Sequence, residues 1–114
     1  MDPSLIKLTR EIIGALEDKK AQDLRVLDLR KVASYTDLLV LCNGTSTTHV
    51  QALVGNVEDQ VGERPVYVNS SPDHSWCVLD YIDVVVHVFR EDLRSHYGLE
   101  TLWADARVLD TTEV

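Results

Sequence analysis

The chain has 114 residues, enough for one domain with a single buried core and too few for two. Hydrophobic residues make up 45% and charged residues 26%, the balance of a folded globular chain and not of a disordered one. Nineteen acidic side chains against eleven basic ones leave a net charge of -8, which repels a phosphate backbone at long range and argues against non-specific nucleic-acid binding.

The N-terminus opens with Asp2 as N-cap and Pro3 at the first helical position. Leu5, Leu8, Ile12 and Leu16 follow at helical spacing, which predicts a helix to about Lys19. The first ten residues have neither a secretory signal's apolar stretch nor a transit peptide's arginine-rich composition, and no apolar run approaches the roughly 20 residues that span a bilayer. A cytoplasmic location with no membrane contact is the expectation.

Two strands are predicted next, Leu24–Leu29 and Leu38–Cys42, the second apolar enough to be buried on both faces. The polar turn Asn43-Gly44-Thr45-Ser46 then feeds a helix with Val50, Leu53, Val54, Val57 and Val61 on one face. A brief strand over Pro65–Val68 and a polar loop from Asn69 to Ser75 lead to two more strands, Trp76–Tyr81 and Asp83–Phe89, close enough to form a hairpin. Glu91 to Tyr97 reads as a short helix closed by Gly98, with Leu99, Leu102 and Trp103 as an apolar cluster and a frayed tail after about Arg107. The order α-β-β-α-β-β-β-α implies an α/β domain with a mixed sheet of about five strands, spanning residues 1–107, followed by a flexible tail over 108–114.

Cys42 and Cys77 each lie in an apolar strand with no disulfide framework or metal-ligand spacing, so both are expected as reduced core residues. Gly44-Thr45-Ser46 before a helix invites a phosphate-binding reading, but a lone glycine with no following lysine favours Ser46 as a helix cap. Asp80 and Asp83 are an odd number of positions apart, so the acid-one-residue-acid pattern that sets two carboxylates on one magnesium face is missing. Asp83 and His87 share a strand face but stand about 13 Å apart by strand rise, too far for an acid–base pair, and His87 is expected as a structural histidine. His49, His74 and His96 are scattered and read as surface. No catalytic residue, metal site or cofactor is expected.

Along Trp76–Tyr81, Trp76, Val78 and Asp80 alternate with Cys77, Leu79 and Tyr81, so one face can be core and the other interface. From the residues alone, Trp76 and Trp103 both stay open between core and interface.

Residues 76–90, Trp-Cys-Val-Leu-Asp-Tyr-Ile-Asp-Val-Val-Val-His-Val-Phe-Arg, resemble the central signature of the ribosomal silencing factor (Iojap-like) family. Tyr97-Gly98-Leu99-Glu100-Thr101-Leu102-Trp103-Ala104-Asp105-Ala106 is similar to its closing motif, and Val26–Arg30 and Thr36–Ser46 to its opening strands and glycine-serine turn. The resemblance covers about residues 10–106. It implies a nucleotidyltransferase-like fold without enzymatic activity and binding to protein number fourteen of the large ribosomal subunit. It further implies steric inhibition of subunit joining that lowers translation when nutrients are short, and a homodimer in the free state.

On this resemblance the partner-contact candidates are Trp76, Leu79, Asp80, Tyr81, Asp83 and His87, facing a basic ribosomal protein with little direct RNA contact. The alternative is a small or vestigial nucleotidyltransferase using Ser46 with Asp80 and Asp83. Three departures from the family pattern stand out. Ile82 replaces a usual glycine, which predicts a wider hairpin turn or one of another type, since a β-branched residue resists positive φ. The loop before Trp76 lacks the usual acid-glycine pair, and the Gly62–Tyr67 segment is short.

Overall fold

The computed structural model describes residues 2–32, 34–94 and 104–111. Among these, the element order is α1 (Pro3–Asp18), β1 (Gln22–Asp28), β2 (Leu38–Gly44), α2 (Thr47–Gln60), β3 (Tyr67–Ser70), β4 (Trp76–Asp80), β5 (Val84–Arg90) and β6 (Arg107–Leu109).

Helix α1 starts where the sequence places it, because the Asp2 carboxylate accepts the Ser4 N–H at 2.9 Å and Pro3 needs no partner for a missing donor. At its end Lys20 adopts a φ of 60°, while Lys20 N–H donates to Glu17 O and Ala21 N–H reaches back to Leu16 O. That double closure is a Schellman motif with a lysine at the position glycine prefers. Helix α2 is capped by Ser46, whose hydroxyl accepts the His49 N–H at 3.1 Å. The two helices are joined by the buried Asn56 amide, which donates to Ala15 O at 2.7 Å.

The strands form one mixed six-stranded sheet in the order β3-β4-β5-β2-β1-β6, in which β2 and β5 run parallel and every other pair antiparallel. All seven residues of β2 are buried, as are six of the seven in β5, so the central pair is covered on both faces. One face carries α1 and α2 over Val26, Leu38, Val40, Cys42, Leu79, Val84, Val86 and Val88. The opposite face gathers Leu27, Leu29, Leu39, Leu41, Val85 and Phe89, with Trp76 and Val78 packed at its border.

The sheet has one strand more than the sequence suggests. Residues 108 and 109, expected as the beginning of a flexible tail, pair with β1 together with Arg107 (Leu27 opposite Val108), and Leu109 is buried among the helix-side core residues. Three residues are too few to show a period in sequence, and only the partner strand makes them β. Strand β3 begins two residues later than expected and takes in Asn69 and Ser70, poor strand formers held in place by β4. Glu91 to Leu93 form a turn closed by Leu93 N–H to Arg90 O. The helix expected to run on to Gly98, together with His96, Tyr97 and the Leu99–Trp103 cluster, lies outside the described residues.

Lys20→Gly removes the cost of a side chain at positive φ and should raise the urea midpoint by the equivalent of about 0.5–1 kcal/mol at unchanged slope. An unchanged or lower midpoint contradicts the closure described at the end of α1.

Candidate functional site

The hairpin β4–β5 sets Trp76 opposite Phe89 and Val78 opposite His87. Trp76, His87 and Phe89 lie on one face with near-parallel rings, centroids 5.8 to 6.0 Å apart and planes within 14°. The indole Nε1–H of Trp76 donates to His87 Nδ1 at 3.0 Å, and the Tyr35 hydroxyl stands 3.5 Å from His87 Nε2. An indole only donates, so Nδ1 is the acceptor and the proton of the neutral ring sits on Nε2, towards Tyr35. Burial pushes the His87 pKa down to about 4, so the ring is neutral at physiological pH.

The same face ends at a strained turn. Tyr81 N–H donates to Val84 O, leaving Ile82 and Asp83 as a two-residue tip, and Ile82 takes a φ of 74°. Of the two forms expected for this turn, the wider one is not adopted and a turn of another type is, and Ile82 itself takes the positive φ that a β-branched residue resists. Three hydrogen bonds hold the strained residue: Ile82 N–H to the Asp80 carboxylate at 2.7 Å, the Thr36 hydroxyl to Ile82 O at 2.9 Å, and Asp83 N–H to Tyr81 O at 2.9 Å. The last closes a γ-turn. The Ile82 side chain is 63% exposed, and the bond from Thr36 brings the half-exposed Tyr35 to the same end of the sheet.

The loop leading into Trp76 does without glycine as well. Asp73 accepts from the Ser71 and Ser75 hydroxyls at 2.9 and 2.7 Å and from Ser75 N–H, which together pull its pKa down to about 2. His74 supplies the positive φ, at 57°, that a glycine would otherwise supply. Ser71 then fixes the start of β4, donating its N–H to Trp76 O at 2.8 Å and accepting the Trp76 N–H on its hydroxyl at 3.2 Å.

Of the six residues the sequence puts forward, Trp76, His87 and Asp80 lie on one sheet face, with Trp76 at the start of β4 and Asp80 at its other end, about 13 Å away by strand rise, beside the tip that carries Asp83. Leu79 and Tyr81 are corrected: the strand alternation turns both onto the helix side, where they are buried in the core and offer no surface. His87 is also buried and acts by orienting Trp76. Trp76 and Val78 are half-buried, Asp80 spends its carboxylate on the turn, and Asp83 is exposed. Three residues missed by the sequence reading join them: Tyr35, Ile82 and Tyr67, which pairs opposite Asp80 and is 57% exposed. A tyrosine in a polar loop and one on a short edge strand carry no sequence signal of exposure.

Elsewhere, Gly44 is required by packing, because a Cβ there would sit 3.0 Å from the Val50 backbone nitrogen, and Ser46 serves as the cap. Burial lifts the Cys42 and Cys77 thiols to about 12 and 11, which leaves both as unreactive core groups. Among the described residues no cluster of three metal-ligating side chains occurs, and no helix is long and apolar enough to cross a membrane.

The chain is a mixed α+β domain with an oriented, half-buried tryptophan on one sheet face and exposed Tyr35, Tyr67 and Ile82 nearer the hairpin tip. The family described as "ribosomal silencing factor during starvation" matches residues 2–114, and the chain belongs to that family. It is 38% identical to the ribosomal silencing factor of Bacillus subtilis over 100 residues, 85% of each chain. Its fold matches the crystal structure of protein CV0518 from Chromobacterium violaceum with a TM-score of 0.81 and 32% identity, covering 91% of this chain and 88% of the other. A more distant relative, 26% identical over 81% of this chain and 43% of its own length, is the mouse protein named mitochondrial assembly of ribosomal large subunit protein 1.

Two outcomes test this geometry. Because the folded-state pKa of His87 lies below its unfolded value near 6.5, the unfolded chain binds the extra proton between those values. Stability is then full above about pH 6.5 and falls by on the order of 2–3 kcal/mol as pH drops towards 4. His87→Asn, which keeps an acceptor near the indole, should flatten that step in urea titrations across this range. Ile82→Gly should raise stability by about 1 kcal/mol by relieving the positive φ, and a loss would show that the isoleucine is not strained.

Proposed function

We propose that the protein represses translation by docking on the large ribosomal subunit and blocking the approach of the small one, without chemistry of its own. The observation that carries this reading is the half-buried Trp76, held by His87 on a sheet face that also carries exposed Tyr35 and Tyr67 and runs out to Ile82, Asp80 and Asp83 at the hairpin tip. Such an arrangement suits binding: aromatic anchors supply most of an interface's energy, and flanking charges supply orientation and encounter rate. The partner is a basic protein surface, that of large-subunit protein fourteen, as the family resemblance implies. The net charge of -8 favours such a landing site over ribosomal RNA.

The family's name supports action on the ribosome, and the printed name of the mouse relative supports the large subunit in particular. The protein would then work in the cytoplasm, on free large subunits. No observation favours the nucleotidyltransferase alternative. The Asp80 carboxylate is engaged at the hairpin tip, and the Ser46 hydroxyl caps α2 at the other end of the neighbouring strand β2.

Trp76→Ala should weaken co-sedimentation with purified large subunits by about tenfold or more, the usual size of a hot spot of 1–2 kcal/mol, while preserving the fold. In a light-scattering assay of subunit association, the wild-type chain should suppress the signal and the variant should need a correspondingly higher concentration. Undiminished binding by a folded Trp76→Ala protein rejects this surface, and normal association at saturating wild-type protein rejects the function.

A further inference from the structure

Strand β3 is the last strand on its side of the sheet, so alternate residues turn their backbone N–H and C=O groups outward. Its cross-strand partners divide its side chains. Tyr67 and Asn69 stand beside Asp80 and Val78 on the Trp76 face, whereas Val68 and Ser70 stand beside Leu79 and Cys77 on the helix face. On the helix face the edge does not close against α2. A groove of about 250 Å³ remains, floored by Val50, Val54 and Cys77 and bordered by Val68, Gly55 and Glu58. Val68, which lines it, is 42% exposed and Val66, just before β3, is 63% exposed, an apolar edge of the kind that natural sheets ordinarily protect with charge or cover.

We infer that this edge and groove bind an extended, cationic segment of a protein partner, which adds a strand to β3 and places an aliphatic side chain between β3 and α2. This surface is separate from the Trp76 face and would serve a second partner. Backbone pairing to β3 supplies register, and the alternation of the added strand sends every second side chain into the groove.

The charge pattern selects the partner. From Thr47 to Ser75, the stretch that builds α2, β3 and the flanking loops, there are four carboxylates, Glu58, Asp59, Glu63 and Asp73, and a single cation, Arg64. Glu58 lines the groove itself, and its field joins those of Glu63 and Glu11 at the buried Tyr81 hydroxyl, so these acids lie together at one end. A basic segment is attracted there and a nucleic acid is repelled. A second copy pairing β3 with β3 would bring the same acidic border against itself, which disfavours it as the occupant.

Gly55 provides a clean block. It lines the groove, and a Cβ built there meets nothing within 4 Å, so Gly55→Leu should fill the groove without disturbing α2. The probe is a fluorescein-labelled heptapeptide alternating lysine and valine, with a glutamate–valine counterpart as control. The expected results are saturable polarisation with the lysine peptide only, amide shifts at Val68 and Ser70 in NMR spectra, and affinity reduced about tenfold or more in Gly55→Leu and in Glu58→Lys. Both variants should melt normally and co-sediment with large subunits as wild type does, which separates this site from the Trp76 surface. The inference is overturned by absent binding, by equal binding of the glutamate peptide, by shifts confined to the Trp76 face, or by a Gly55→Leu protein that binds unchanged. It is equally overturned if the wild type self-associates through β3 and the peptide does not compete.

Discussion

The parallel pairing of β2 with β5 is the constraint on which the rest of this structure depends. Seven residue pairs, from Leu38 with Val84 to Gly44 with Arg90, run through the middle of the sheet, and almost every side chain on both strands is buried. Two parallel strands cannot be joined by a tight turn, so the chain between them must travel, and here it travels through α2 and the β3–β4 hairpin. A pair buried on both faces also needs two cores. The helices supply one, and the second forms around Leu39, Leu41, Val85 and Phe89. Leu38 N–H donates to Asp83 O at 3.0 Å, which ties the β4–β5 tip to the start of β2 and so to the Tyr35–Thr36 loop.

The candidate docking surface is a consequence of that second core. His87 lies on β5 with its ring on the same face as Phe89, a place where an imidazole is tolerated only if its nitrogens find partners. Trp76 and Tyr35 provide them, and in doing so the buried ring fixes the orientation of a tryptophan at the core's border. Backbone strain gathers nearby. Ile82 and His74 both adopt positive φ, each held by side-chain or backbone hydrogen bonds within its own turn, and both turns flank β4. Non-glycine residues in that region persist only where surrounding bonds over-determine them, as the Asp80, Thr36 and Ser71 contacts do here.

Electrostatics gives these surfaces a common character. Neither the Trp76 face nor the α2–β3 groove assembles the carboxylate pair or cationic cradle that phosphoryl chemistry asks for, and both are apolar surfaces with acidic neighbours. Acidic borders and apolar centres are suited to recognising basic proteins. Under the proposed steric action, the rigid sheet with its oriented aromatic would supply adhesion and correct placement.

Much of the fold was legible in the sequence because it rests on local chemistry. Asp2-Pro3 and Ser46 mark helix starts through backbone donors that need acceptors, and the apolar run over Leu38–Cys42 admits only a strand buried on both faces. The alternation from Trp76 to Tyr81 likewise determined that one side of β4 would be core. What it left undecided was which side, and this is why Leu79 and Tyr81 stood among the candidate contacts until packing placed them inside. Strand β6, the two-residue turn at Ile82, the exposure of Tyr35 and Tyr67 and the groove beside Gly55 were decided by tertiary structure alone. Each depends on a partner distant in sequence: β1 for Val108, Thr36 for Ile82, Asp80 for Tyr67 and β3 for α2. Local propensity determines which segments become helix or strand, but the surface left over for a partner is known only once every element has claimed its neighbours.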